Sequence, residues 1–156
     1  MEPMVFARLL QAAELQPEDL VLDIGCGPGY STGVLSRLVR QVIALESDRN
    51  LAQLARARVE ELSISNATLV EGPLEQGWPD ESPYNAIILG GAAERIPDVI
   101  LSQLAEGGRL VGVENRGGIG RAMLYLGHRG IVSGRPLFDA AVAMLPGITV
   151  EPSFVF

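Results

Sequence analysis

The sequence predicts a doubly wound α/β fold, a mostly parallel sheet with a C-terminal antiparallel hairpin. Three observations predict it. Short, almost wholly apolar runs alternate with segments whose apolar residues recur at helical spacing, the pattern of buried parallel strands joined by crossover helices. A glycine-rich turn joins the first such run to the helix that follows. Beyond Arg116-Gly117-Gly118 the rhythm changes to two strand-like runs around a tight turn.

Each element follows from its residues. A first helix is predicted over Pro3 to Glu14, with Val5, Leu9, Ala12 and Ala13 on one face, and Gln16-Pro17-Glu18-Asp19 breaks it. Leu20 to Ile24 is the first strand, and Ser31 to Val39 reads as the helix after the glycine turn. Gln41 to Glu46 is the second strand, after which Asp48 caps a helix running to about Leu62. Ala67 to Glu71 is the third strand. Gly72 to Pro83, with three prolines, reads as a loop. Tyr84 to Leu89 is the fourth strand, Ile96 to Leu104 a helix stopped by Gly107-Gly108, and Arg109 to Val113 the fifth strand. Ala122 to Leu126 and Ile131 to Phe138 form the closing hairpin about His128-Arg129-Gly130.

Composition narrows the function classes. With 156 residues, 47% of them hydrophobic and 20% charged, the chain reads as one domain with a substantial core. No apolar run reaches the roughly 18 residues that span a bilayer, and the N-terminus has no basic-then-apolar pattern of a signal peptide. Cys26 is the only cysteine, which excludes an internal disulfide and a multi-cysteine zinc site and fits a cytoplasmic compartment. The formal net charge is −7, and the basic residues are scattered. A nucleic-acid partner, which calls for a basic stripe, is disfavoured.

The strongest chemical signal is Val21-Leu22-Asp23-Ile24-Gly25-Cys26-Gly27-Pro28-Gly29-Tyr30. Glycines here permit a tight turn and let backbone approach a ligand. Glu46 ends the second strand about 20 residues after Gly25, where a carboxylate accepts ribose hydroxyls at the point where strand order reverses. Asp23, directly before the first glycine, suits a cationic amino group and would repel a pyrophosphate. A dinucleotide fingerprint needs a third glycine at the sixth position, which is Tyr30, and no Gly-Lys-Ser/Thr of a phosphate loop follows. A methyl donor fits this loop better than a nucleotide phosphate.

With those residues in place, the chain resembles class I methyltransferases of Rossmann-like fold. One family stands out: the protein-L-isoaspartate (D-aspartate) O-methyltransferases. The glycine loop is common to the whole class. More discriminating are Gly77-Trp78-Pro79, Pro83-Tyr84-Asn85-Ala86-Ile87-Ile88-Leu89, Ala92-Ala93-Glu94-Arg95-Ile96-Pro97 and Gly107-Gly108-Arg109-Leu110-Val111. The resemblance implies methyl transfer from S-adenosylmethionine to isoaspartyl carboxylates of damaged proteins or peptides, leaving S-adenosylhomocysteine. Such an acceptor is already ionised, so positioning and desolvation can do most of the work without a His or Cys base. By carry-over, Asp23, Gly25, Cys26, Gly27, Gly29 and Tyr30 take the methionine end. Glu46 takes the ribose, and Ser47, Gly72, Pro73 and Leu74 complete the expected donor-binding set. No catalytic residue and no metal ligand is assigned, and oligomeric state is left open.

Three features depart from the family pattern. Members carry a further N-terminal segment with a Ser or Thr before the first helix, whereas this chain starts at Met1-Glu2-Pro3. Where the family has Gly-Asp-Gly after the third strand, Gly72-Pro73-Leu74 stands here, and Gly90-Gly91 replaces a Thr-Ala pair. A binding module without catalysis, or a methyltransferase for another small acceptor, is the alternative reading.

Other residues carry paired readings. Cys26 reads as packing rather than a reactive thiol, and His128 as a solvated turn residue. Ser31 and Thr32 read as helix caps, and Tyr30 as a donor contact. Trp78 either covers an adenine ring or anchors its loop. Arg116-Gly117-Gly118 is either a plain loop or a site for an acidic acceptor. Amino-directed methyltransferases carry Asn-Pro-Pro-Tyr after the fourth strand, but Leu89-Gly90-Gly91-Ala92 stands there; no Pro-Cys pair of cytosine C5 enzymes occurs.

Overall fold

A computed structural model describes residues 1–149. Its seven strands form one sheet in the order β3-β2-β1-β4-β5-β6-β7. These are β1 (Leu20–Ile24), β2 (Gln41–Glu46), β3 (Ala67–Glu71), β4 (Tyr84–Ala93), β5 (Leu104–Arg116), β6 (Ile119–His128) and β7 (Ile131–Asp139). The first five pair in parallel and the last two antiparallel, as the sequence predicts. From β1 the chain winds outward to β3, then returns to lay β4 on the other side of β1. Strand order therefore reverses between β1 and β4, and a crevice opens at their C-terminal ends.

Apolar runs explain the central strands. Four of five β1 residues and five of six β2 residues are buried, the mark of strands covered on both faces. One face is covered by α1 (Pro3–Ala13), α2 (Tyr30–Ser36) and α3 (Arg49–Glu61), with Phe6, Leu9, Leu35 and Ala55 in its core. Pro3 occupies the first turn of α1, and Glu14 ends it in the left-handed region, its N–H donating to Gln11 O. Asp48 caps α3 as expected: Oδ1 accepts from Asn50 N at 2.8 Å and Leu51 N at 3.1 Å.

The opposite face is covered more thinly. Its core joins Ile24, Leu45, Leu74, Tyr84, Ile87 and Leu89 to residues of short elements. These elements are the single-turn α4 (Asp98–Leu101), 3₁₀ turns at Leu74–Gln76 and Pro79–Glu81, and an extended segment over 140–149. Reciprocal bonds dock that segment on β4: Ala92 N donates to Ala143 O at 2.8 Å and Leu145 N to Ala92 O at 2.7 Å. Among the described residues no helix is long and apolar enough to cross a membrane.

Several expected boundaries move. The helix predicted over Ile96 to Leu104 contracts to α4, because Leu104 pairs with Tyr84 and starts β5. Gly107-Gly108, expected to stop a helix, instead lie inside β5 where its register shifts. A Cβ at Gly108 would stand 2.7 Å from Ala105 O, a local close approach that a helical period does not reveal. β4 runs on to Ala93, and α2 ends at Ser36 rather than Val39. β5 and β6 meet in a two-residue turn at Gly117-Gly118, with φ of 65° and 86°. Arg129-Gly130 turns β6 into β7 in the same left-handed way, with φ of 52° and 75°.

Candidate active site

The glycine loop leaves β1 at the reversal point and is tied down by its neighbour strand. Gly25 N and Cys26 N both donate to Leu45 O of β2, at 2.8 and 3.2 Å. Gly25, Gly27 and Gly29 all have positive φ, 74°, 56° and 98°, so each position favours glycine on backbone grounds. Their surroundings differ. A Cβ at Gly29 would press on the α3 backbone, 3.1 Å from Ala55 Cα. One at Gly25 would meet Leu145 Cδ2 at 2.6 Å, whereas Gly27 faces open space. Of the three, only Gly27 has open space beside it.

Asp23 lies beneath this loop and is fully buried. Ser31 Oγ and Thr32 Oγ1 donate to its Oδ2 at 2.7 and 2.9 Å, while Oδ1 has no partner. Burial pushes the Asp23 carboxyl up to about 6, against the pull of those two hydroxyls, and the nearby Glu46 charge adds to the rise. This corrects the capping role read for Ser31 and Thr32. Gly29 is the N-cap of α2, with no side-chain bond to its free amides. The hydroxyls turn inward because the buried carboxylate needs donors more than the helix end, which water can reach.

Glu46 is also buried, 4% exposed. Its Oε1 accepts from Ser47 N at 2.9 Å and Asp48 N at 3.0 Å, and its Oε2 from Gly27 N at 2.8 Å. A carboxylate offers about four acceptor positions, so capacity remains on Oε2, beside the open face of Gly27. Neither Asp23 nor Glu46 pairs with an arginine among the described residues. The crevice thus carries two buried carboxylates and no cation bonded to either.

A cavity of about 370 Å³ opens over the loop, bordered by Phe6, Gly25, Gly27, Tyr30, Ser31 and Gly90. Tyr30 is 55% exposed, its ring 6.2 Å from that of Phe6. Gly90 lies against the loop: a Cβ there would collide with the Gly25 carbonyl. Cys26 is buried and its thiol is pushed up to about 12, chiefly by burial, which makes it packing rather than a nucleophile.

Beyond β3, Gly72 N donates to Glu46 O at 3.2 Å, which keeps that turn beside the second carboxylate. Ser47 and Pro73 are exposed there, whereas Leu74 turns into the core at 1% exposure. Trp78 is an anchor. Its N donates to Gln103 Oε1 at 3.0 Å, its carbonyl accepts the Tyr84 hydroxyl, and its ring lies against Gly72. His128 ends β6, exposed, with Nδ1 2.7 Å from Glu106 Oε1.

Sequence reasoning missed Phe6 and Leu145. Phe6 belongs to the first apolar face, with nothing to show that α1 starts at the cavity rim. Leu145 reaches Gly25 from the segment after β7, which has no periodic pattern.

The chain is similar in sequence and fold to known proteins of one family. The family model described as Protein-L-isoaspartate(D-aspartate) O-methyltransferase (PCMT) matches residues 1–121. The Protein-L-isoaspartate O-methyltransferase 2 of Pelobacter propionicus is 43% identical over 110 residues, 70% of this chain and 49% of its own length. A solved protein-L-isoaspartate O-methyltransferase superposes with a TM-score of 0.87 at 28% identity, over 93% of this chain and 47% of its own. The Plasmodium falciparum beta-aspartate methyltransferase (PCMT), solved with S-adenosyl-L-homocysteine, shares the fold with a TM-score of 0.76 at 23% identity. That alignment covers 92% of this chain and 73% of its own. The chain spans about half the length of the curated relatives it matches. It belongs to the protein-L-isoaspartate (D-aspartate) O-methyltransferase family.

Proposed function

We propose that this member of the family binds S-adenosylmethionine at the glycine loop and methylates the free carboxylate of isoaspartyl residues in proteins or peptides. The observation that carries the reading is the pair of buried carboxylates, Asp23 and Glu46, around an open glycine turn, with no basic partner among the described residues. Such a crevice suits a ligand that brings positive charge and hydroxyls, and it opposes a pyrophosphate.

The residues present fit that donor. Glu46 is held rigid by three backbone amides and keeps acceptor capacity on Oε2 for a ribose hydroxyl. The Gly27 face admits the ligand, while Gly25, Cys26 and Gly29 shape the turn. Asp23 has no exposed surface, so it acts by ordering Ser31 and Thr32 and by its potential. Tyr30 borders the methionine end, Ser47 stands beside the ribose site, and Gly72 and Pro73 flank the adenine side, with Leu74 supporting them from the core.

When bound, the donor supplies an electrophilic methyl group on a cationic sulfur. The chain's task is then to hold the acceptor carboxylate in line and to limit water around it. No general base is required, since that carboxylate is ionised at neutral pH. The single cysteine, kept as a buried thiol, fits a cytoplasmic setting.

Calorimetric titration of S-adenosylhomocysteine tests the donor site. Glu46→Ala is expected to weaken binding by about 10- to 100-fold, the loss of one hydrogen bond to a charged group. Unchanged affinity would refute the assignment. Transfer of labelled methyl to an isoaspartyl peptide, and none to its aspartyl counterpart, tests the acceptor.

A further inference from the structure

A cavity of about 650 Å³ lies beyond the C-terminal end of β4, bordered by Glu94, Arg95, Asn115, Arg116 and Met144, with the Gly117-Gly118 turn at its edge. It is separate from the glycine-loop cavity, which is bordered by Gly90 of β4, whereas Glu94 directly follows that strand. Fully extended, four residues reach about 13 Å at roughly 3.3 Å per residue; β4 is irregular between Ile88 and Ala92, so Gly90 and Glu94 lie within that reach, and an extended peptide of similar length can bridge them.

Two arginines give this cavity its character. Arg95 lies 3.3 Å from Asp98 and Arg116 3.4 Å from Glu114, and the arginine side chains are 60% and 68% exposed. The Arg95 pair is exposed on both sides and holds its guanidinium weakly; Glu114 is buried, so Arg116 stays beside it and offers its remaining N–H donors to another anion. Among the described residues Glu94 is the one carboxylate on the cavity wall, against two guanidinium groups. Over a chain of net charge −7, two guanidinium groups on one cavity form a local site for a carboxylate, whose geometry matches their planar fork. Met144, 41% exposed, adds an apolar wall for peptide stems.

Resting on the methyltransferase reading, we propose that the Arg95–Arg116 cavity binds a second carboxylate of the acceptor. This would be an Asp or Glu side chain about three to five residues from the isoaspartyl group, which is held beside the donor at the mouth of the glycine-loop cavity. The chain then selects damaged sites in acidic stretches of polypeptide.

Two isoaspartyl peptides that differ only by Glu or Ala four residues to either side of the target provide the test. Each is titrated by fluorescence anisotropy, with saturating S-adenosylhomocysteine, into the whole chain and into Arg95→Gln and Arg116→Gln. The Glu peptides should bind the unaltered chain about tenfold more tightly than the Ala peptides. That advantage should shrink to about twofold in either variant, and in about 1 M salt, where screening acts over roughly 3 Å. Affinity for the Ala peptides and for S-adenosylhomocysteine should stay constant throughout. Equal binding of Glu and Ala peptides by the unaltered chain overturns the inference, as does an acidic preference that survives both substitutions. A chain that binds S-adenosylhomocysteine but shows no such preference loses this inference alone. One that binds neither ligand nor peptide loses the donor reading as well.

Discussion

Two buried carboxylates at opposite ends of β1 are treated in opposite ways. Asp19, just before the strand, is paired: its Oδ2 accepts from Arg109 Nη2 at 2.7 Å and from Gln16 N at 2.9 Å. Arg109 also donates to the carbonyls of Ala13, Glu14 and Asn85, so it ties α1, β4 and β5 together. Asp23, four residues on, has two hydroxyls and an unpartnered oxygen. At the end of the sheet that only has to hold the fold, charge is fully compensated. At the end with the crevice, negative charge is left in excess, a condition typical of functional sites.

Breaking the compensated end should have the largest effect. Arg109→Ala leaves Asp19 buried without its cation, and urea denaturation should show a loss of about 3–5 kcal/mol. A loss below about 1 kcal/mol would mean that the two ends do not differ.

The other end should respond to pH instead. The folded-state value for Asp23 lies above its unfolded one, about 6 against 3.8. Stability linked to its proton is therefore fully present below pH 4 and is lost as pH rises through 6. Relative to Asp23→Asn, which cannot titrate, the unaltered chain should lose on the order of 2–3 kcal/mol over that window. Parallel stability curves for the two proteins would contradict the buried-charge assignment.

A smaller change should sharpen the contrast. Thr32→Val removes one of the two donors to Asp23 Oδ2. It should cost about 1 kcal/mol at neutral pH and move the Asp23 titration above 6. A midpoint that stays in place would assign the compensation to Ser31 alone.

Much of the fold and part of the site could be read before any coordinates. β1, β2 and β3 have the predicted bounds, and Asp48 caps α3, because short apolar runs and a single polar cap are local chemistry. The region from Ile96 to Leu104 departs from its local pattern. Its apolar residues have helical spacing, but pairing of Leu104 with Tyr84 draws the backbone into the sheet. In the site, Glu46 and Gly27 stand where the pattern placed them, whereas Leu74 faces the core and Ser31 and Thr32 serve Asp23.

Taken by itself, the sequence determined the alternation of strand and helix, the glycine turn and the acidic residue one strand away. These depend on residue types at short, regular spacing. Tertiary structure alone decided which glycine faces open space, since Leu145 comes from the other end of the chain to fill the place beside Gly25. It also decided that Asp23 is buried with one oxygen unpaired and that Arg95 and Arg116 share a cavity. Those outcomes arise from contacts between segments distant in sequence, and no local period encodes them.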